Sequence, residues 1–260
     1  MGELQDRVAV VTGAGRGIGR VIAETLAREG AHVVLSARSV DLLEQTREIV
    51  ESHGRTGLVV PTDLVDRDQV AALARAALDH FGAVDVLVNN SGVGGPSAPL
   101  WEVDPGEWEA TLAVNVTGTF LACRAFLPAM IERGAGNVVV VGSFSGKRPL
   151  LNRTAYTTSK MALVGMVRTL AVEAGGHGVR VNLVSPGAVQ GERIEWVIGR
   201  LQQAQGISYE QARATLVSDS PFKRLVQPEE VAQAVVFLAS DRSSPVTGED
   251  LNVSAGAVMY

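Results

Sequence analysis

Short β-branched runs alternate along the chain with longer stretches in which apolar residues recur every three or four positions. This is the pattern of parallel strands joined by crossover helices. The runs fall at 8–11, 33–35, 58–60, 84–88, 138–141, 181–184 and 251–253, so seven strands are expected. Between them, helices are expected at 17–29, 40–53, 66–81, 105–132, 154–174 and 228–239, each long enough for a crossover. Asp104-Pro105 offers an N-cap followed by a first-turn proline, and Gln227-Pro228-Glu229-Glu230 places proline and acid in another first turn. Pro128 is expected to kink or shorten the fourth helix, because it lacks an N–H and crowds the preceding turn. No composition shift, repeat or low-complexity linker divides the chain. The expected fold is α/β: a Rossmann-type doubly wound three-layer sandwich with a seven-stranded parallel sheet, forming one domain over 1–260.

Composition narrows the functions open to such a fold. A chain of 260 residues with 46% hydrophobic content can bury a large core. Its formal charge of -5, without a basic run, supplies no field for a polyanionic backbone, so no nucleic-acid partner is expected. Cys123 is the only cysteine, which rules out an internal disulfide and a thiolate cage, and a cytoplasmic location fits. It sits among Leu121, Ala122 and Phe126 and reads as a buried structural thiol. His32, His53, His80 and His177 share no ligand spacing, so no metal is expected. The charged N-terminus does not read as a signal peptide, and Asp6 stands where a myristoylation motif needs Ser or Thr. The apolar runs read as strand-sized, so no membrane span is expected.

In a sheet of this kind ligands bind outside the carboxyl ends of the strands. The first strand is followed by Thr12-Gly13-Ala14-Gly15-Arg16-Gly17-Ile18-Gly19, which opens directly into a helix. Glycine lets backbone approach a pyrophosphate, and a helix N-terminus offers free N–H groups and a positive dipole end. Gly13, Arg16, Gly17, Ile18 and Gly19 are therefore candidate dinucleotide contacts; the plainer reading is a closely packed turn that binds nothing. The second strand ends Leu35-Ser36-Ala37-Arg38, without the acid that accepts from the adenosine 2′-hydroxyl in NAD-preferring folds. Arg38 can fork onto a 2′-phosphate with Arg16 approaching from the other side, so Ser36 and Arg38 join the candidates and NADP(H) is expected over NAD(H). The structural alternative for Arg38 is a solvated cap on the sheet edge. Asp41, the nearest acid, reads as a first-turn helix charge. Asp63 and Leu64 after the third strand, and Asn89, Asn90, Ser91 and Gly92 after the fourth, suit the adenine and ribose but also suit ordinary turns.

Tyr156 and Lys160 stand four residues apart in Tyr-Thr-Thr-Ser-Lys, with Ser143 thirteen positions upstream. A phenol holds its proton to a pH near 10, but an ammonium one helical turn away favours the phenolate and lowers that value. With three Tyr and three Lys in the chain, such a spacing arises by chance only about 0.03 times. Taken in order, Thr-Gly-x-x-x-Gly-x-Gly at 12–19, Asn-Asn-Ser-Gly at 89–92, Asn115, Ser143, Tyr156-x-x-x-Lys160 and Pro186-Gly187 resemble a classical short-chain dehydrogenase/reductase over nearly the full length. Pro228-Glu229-Glu230-Val231, the Phe237 to Asp241 segment and Thr247-Gly248 resemble its 3-oxoacyl-carrier-protein reductase-like group in particular.

The resemblance implies an oxidoreductase in which Tyr156 exchanges a proton with a substrate oxygen while hydride passes between the adjacent carbon and a nicotinamide. It implies that Lys160 lowers the tyrosine pKa and binds the nicotinamide ribose, and that Ser143 donates to the substrate oxygen. Asn115 would loosen the fourth helix and hold a water linking Lys160 to solvent; otherwise it is a poor helix former tolerated by packing. Pro186, Gly187 and Val189 would meet the nicotinamide, with Tyr156 and Lys160 also counted as cofactor contacts. Two positions depart from the family pattern. Gly191 stands where Thr often binds the carboxamide, leaving the Val189 backbone and Gln190 as substitutes, and Ser91 replaces a usual Ala.

A partly helical lid over 191–222 is expected to govern the choice of a small-molecule substrate. There Ile194 and Trp196 could wall an apolar substrate, and Arg193 or Arg200 could meet an anionic one. Trp101, Phe144, Leu150 and Leu151 are equally pocket or core. Val114, Leu121, Met161, Leu163, Val164 and Val167 could pack in the core or across a subunit boundary, and the resemblance implies a homotetramer. The expected reaction is NADPH-linked reduction of a ketone or 3-oxoacyl group. The alternatives are an NAD-dependent polyol or secondary-alcohol dehydrogenase and a non-catalytic dinucleotide-binding sensor.

Overall fold

All seven expected strands form in a computed structural model that describes residues 2–260. They are β1 (Val8–Thr12), β2 (His32–Ala37), β3 (Gly57–Pro61), β4 (Val86–Asn89), β5 (Gly136–Val141), β6 (Val179–Pro186) and β7 (Asp250–Val253). Every pairing is parallel, in the order β3-β2-β1-β4-β5-β6-β7. Valine suits strands buried on both faces, and alternation divides each strand between two cores. Ala9, Val11, Val139 and Val141 face one core, against Ile22 and Leu26 of α1 (Gly17–Arg28), Leu43 of α2 (Val40–Ser52) and Val235 of α9 (Pro228–Ala239). Val8, Val10, Val138 and Val140 face the other, against Leu73 of α3 (Arg67–Phe81), Phe126 of α5 (Gly118–Arg133) and Leu163 of α6 (Thr154–Gly175). The strand order reverses between β1 and β4, which opens a crevice at their carboxyl ends.

The helix starts follow their caps. Asp66 Oδ1 accepts from the N–H groups of Asp68 and Gln69 at 2.9 and 3.1 Å, and Asp104 Oδ1 from Glu107 at 3.1 Å. The single helix expected over 105–132 is α4 (Pro105–Leu112), a π-helical turn Ala113–Thr117 and α5. Of the two effects expected of Pro128, it does not shorten the helix: α5 continues to Arg133. Pro128 and Arg124 are both exposed, so the carbonyl that the proline cannot bond faces water. The irregularity sits at Asn115, the residue expected to loosen the helix, where the Gly118 N–H reaches back five residues to the Ala113 carbonyl. Together these segments make a 29-residue helix long and apolar enough to cross a membrane by length and composition, unlike the strand-sized runs expected. Half of its most apolar stretch is packed inside the protein, where Ala122, Cys123, Phe126, Leu127 and Met130 join the second core. The lid holds two helices, α7 (Glu192–Gln205) and α8 (Tyr209–Leu216).

Candidate active site

The crevice begins at Thr12, the last residue of β1. Its Oγ1 accepts the N–H groups of Asn90 and Ser91 at 3.0 and 3.1 Å, and Asn90 Nδ2 donates back to the Thr12 carbonyl at 2.9 Å. The glycine turn and the loop after β4 are thereby one unit. Gly13 has φ +68°, and a Cβ on it would lie 2.9 Å from Asn90 Nδ2; one on Gly19 would lie 2.2 Å from the Gly13 carbonyl oxygen. Close packing fixes those two. Gly17 differs: its φ is +55° and no atom lies within 4 Å of where its Cβ would be, so the start of α1 stays open to an anion. Arg20 stiffens the turn by forking onto the Gly15 carbonyl at 3.1 and 2.6 Å. Ile18 packs against the core beneath.

Two further arginines flank this turn. Arg38 is exposed and forms no ion pair among the described residues, while exposed Arg16 lies 4.0 Å from Glu192 of the lid. At the end of β2 it is the methyl of Ala37, not an acid, that faces the turn, 3.8 Å from a Cβ placed on Gly15. Ser36 is buried beside it and its Oγ has no hydrogen-bond partner. Asp63 Oδ1 accepts from the Val65 N–H at 3.2 Å, and the Leu64 side chain belongs to a small cluster with Val70 and Leu121. An open glycine at a helix N-terminus flanked by the exposed guanidiniums of Arg38 and Arg16 fits a nicotinamide dinucleotide.

Tyr156 and Lys160 are both buried on α6. Lys160 Nζ donates to the Val141 carbonyl at 2.9 Å and lies 5.9 Å from the Tyr156 ring centroid. Ser143 Oγ accepts the Ser145 N–H at 3.1 Å, donates to Ser145 Oγ at 3.0 Å and lies beside the Tyr156 phenol. Burial alone would raise the Tyr156 pKa. The charges of Lys160 and Arg193, with the polar contacts of Ser143 and Arg193, outweigh burial and hold the phenol below its ordinary 10. Burial lowers the Lys160 pKa, Tyr156 opposes that shift, and Arg193 adds to it; the ammonium is held below its ordinary 10.5.

Asn115 is fully buried and its amide is completely used. Its Oδ1 accepts from the Val93 N–H at 2.8 Å, while Nδ2 donates to the Val93 carbonyl at 3.0 Å and to Ser159 Oγ at 2.9 Å. Ser159 Oγ donates in turn to the Tyr156 carbonyl at 2.7 Å. Asn115 thus ties the loop after β4 to the helix that carries Tyr156. Gly92 fits between them, since a Cβ would lie 3.3 Å from Asn115 Oδ1 and 3.4 Å from Lys160 Nζ. Beyond Pro186, Gly187 donates to the Val253 carbonyl at 2.9 Å. Val226 bonds Ala188 and Gln190, which leaves the N–H and C=O of Val189 without a backbone partner. Gln190 Oε1 accepts from Gln227 Nε2 at 2.9 Å, so the side chain expected to replace the missing threonine is already held.

The lid brings Arg193 to Tyr156 but turns Arg200 onto the Trp196 ring, 5.7 Å from its centroid. Trp101, Leu151 and Trp196 are exposed, and Phe144 and Leu150 are half-buried. Sequence reasoning missed Ser159 and Arg153. Both lie three residues from Tyr156, on the same helical face, so reading that face was the available signal.

A family model described as enoyl-(acyl carrier protein) reductase matches residues 13–258. The cis-4-hydroxycyclohexanecarboxylate dehydrogenase of Sinomonas cyclohexanicum is 38% identical, the alignment covering 98% of each chain. The 3-oxoacyl-[acyl-carrier-protein] reductase of Thermotoga maritima (strain ATCC 43589 / DSM 3109 / JCM 10099 / NBRC 100826 / MSB8) is 35% identical over 98% of this chain and 99% of its own. Among solved structures, a tryptophan-substituted actinorhodin polyketide ketoreductase with NADPH superposes with a TM-score of 0.94 at 33% identity, covering 100% of both chains. With the glycine turn, the buried Tyr156 and Lys160 and the seven-stranded parallel sheet, these likenesses lead to one conclusion: the chain belongs to the classical short-chain dehydrogenases/reductases, oxidoreductases acting on CH–OH and C=O groups with a nicotinamide dinucleotide.

Proposed function

We propose that the protein is an NADPH-preferring carbonyl reductase that converts a ketone or 3-oxoacyl group into a secondary alcohol. The observation that carries this reading is Tyr156, buried beside Ser143 with Lys160 Nζ 5.9 Å and Arg193 Cζ 4.9 Å from its ring centroid and acidified by those cations. A bound nicotinamide would supply hydride in reduction and accept it in oxidation. Tyr156 Oη gives its proton to the carbonyl oxygen in reduction and takes one from the alcohol in oxidation. Ser143 Oγ donates to the same oxygen and stabilises its developing charge. Lys160 keeps the phenol acidic and, with the main chain of Val189, Pro186 and Gly187, holds the nicotinamide end. Gly13, Gly17, Gly19 and Ile18 shape the pyrophosphate turn, and Asp63, Leu64, Asn90, Ser91 and Gly92 flank adenine and ribose. Arg38 and Arg16, with no acid facing the turn at the end of β2, support a 2′-phosphate.

A carbonyl and alcohol panel run with both cofactors, read at the nicotinamide absorbance, tests this. NADPH oxidation faster than NADH oxidation is expected, with Arg38→Ala narrowing the gap. A Tyr156→Phe variant that kept full activity would sink the mechanism. Equal use of NAD and NADP, unaffected by Arg38→Ala, would favour a polyol or secondary-alcohol dehydrogenase instead. The same reading includes a homotetramer built on α5 and α6. Phe120, Met161 and Val172 are exposed there, whereas Leu121, Leu163, Val164 and Val167 lie in the core.

A further inference from the structure

Two guanidinium groups converge beside Tyr156 that proton exchange does not require. Arg153 Cζ lies 5.5 Å and Arg193 Cζ 4.9 Å from the ring centroid. They come from different elements, the turn before α6 and the first turn of α7. Yet a terminal nitrogen of each falls 3.0 Å from a single point, the place of a Cβ on Gly94. Like charges this close repel. Arg153 donates to one neutral acceptor, the Gly94 carbonyl at 2.6 Å. Neither arginine forms an ion pair among the described residues. The nearest acids in sequence point elsewhere: Glu192 lies toward Arg16, and Glu195 accepts from the Tyr209 hydroxyl at 3.0 Å. Of the other arginines around the lid, Arg148 pairs with Asp219 and Arg224 with Glu230, while Arg200 lies over the Trp196 ring instead.

We infer that Arg153 and Arg193 form an anion subsite for a carboxylate carried by the substrate, so that the preferred substrates are oxo- or hydroxycarboxylates. This rests on Tyr156 being the group that exchanges a proton with the substrate. Lys160, Arg153 and Arg193 all lie within 6 Å of the Tyr156 ring centroid, and a substrate carboxylate supplies a negative charge to this cluster. Its two oxygens match the forked donors of a guanidinium, and the half-buried setting of Arg153 strengthens the contact. The hydride-accepting carbon is then placed by a charge beside it as well as by Ser143.

The test compares 4-oxocyclohexanecarboxylate and 4-oxopentanoate with their methyl esters on wild type, R153Q, R193Q and the double variant. The acid-to-ester ratio is taken within each variant, so any change in Tyr156 acidity cancels. Wild type is expected to favour the acid in kcat/KM by about tenfold or more, with each substitution moving the ratio toward one through the KM of the acid. An Arg193→Lys variant should retain part of the preference. Calorimetric binding of the same four compounds to NADP-loaded Tyr156→Phe protein reads the preference without turnover. Equal binding of acid and ester there overturns the inference, as does a preference that survives the double substitution. So does an R193Q variant that weakens dinucleotide binding and leaves the ratio unchanged, which assigns the pair to the cofactor phosphates. Acid-selective binding without turnover of any compound keeps the subsite and defeats the carbonyl-reductase reading.

Discussion

Tyr156 carries two opposed effects at once. Burial disfavours its phenolate, while Lys160 and Arg193 favour it, and the cations win. Alcohol oxidation needs the phenolate, so its rate should reach half-maximum below pH 10. Arg193→Gln removes one cation, raises the phenol pKa and should move that limb to higher pH in a kcat profile. Tyr156→Phe should lower kcat by about a thousandfold or more, as loss of a general acid with its oriented hydrogen bond does. Cys123 behaves oppositely: burial, eased a little by the Asn89 amide at 3.4 Å, pushes its thiol up to about 12. It should stay unmodified by a thiol reagent in the native protein and react once denaturant unfolds the chain. Cys123, Tyr156 and Lys160 were legible in the sequence because their neighbours within one turn set their character. The amide of Asn115 was not, since its partners Val93 and Ser159 lie 22 and 44 residues away.

At the level of elements, α9 shows how a local signal fixes a helix start. Pro228 occupies the first turn, and Glu230 Oε2 reaches back to accept from the Gln227 N–H at 2.8 Å. Glu230 is also gripped by Arg224 through contacts of 2.6 and 2.8 Å, and these bonds with the Gln227 N–H hold its carboxyl down to about 2. A depressed carboxyl stabilises the fold above its ordinary 4.5 and loses that contribution as pH falls from there through about 2. Because the pair is partly exposed, Glu230→Gln should cost about 1 kcal/mol at pH 7 by urea unfolding, and less near pH 3. In the fourth helix, Pro128 lies on a solvated face where a freed carbonyl costs little, and the helix runs on to Arg133. The break came at Asn115, whose amide binds a loop from another part of the chain.

Across the whole molecule, the sheet order places the carboxyl ends of β1 and β4 side by side and gathers the glycine turn, the Asn90 loop and α6 at one crevice. If α5 and α6 form the subunit boundary, Met161→Asp or Phe120→Asp should shift the assembly to smaller species by analytical ultracentrifugation while the isolated fold keeps its far-ultraviolet spectrum. The sequence by itself determined the strands, most helix limits, the glycine turn and the one-turn spacing of Tyr156 and Lys160. Each depends on residues within a few positions, through periodicity, capping or a single helical turn. Only the tertiary structure decided that Gln227 holds Gln190, that Arg200 turns to Trp196, and that Arg153 and Arg193 meet at Gly94 beside the phenol. Charge coupling and hydrogen bonding depend on distance in space, and for groups carried by different elements that distance exists only once the chain has folded.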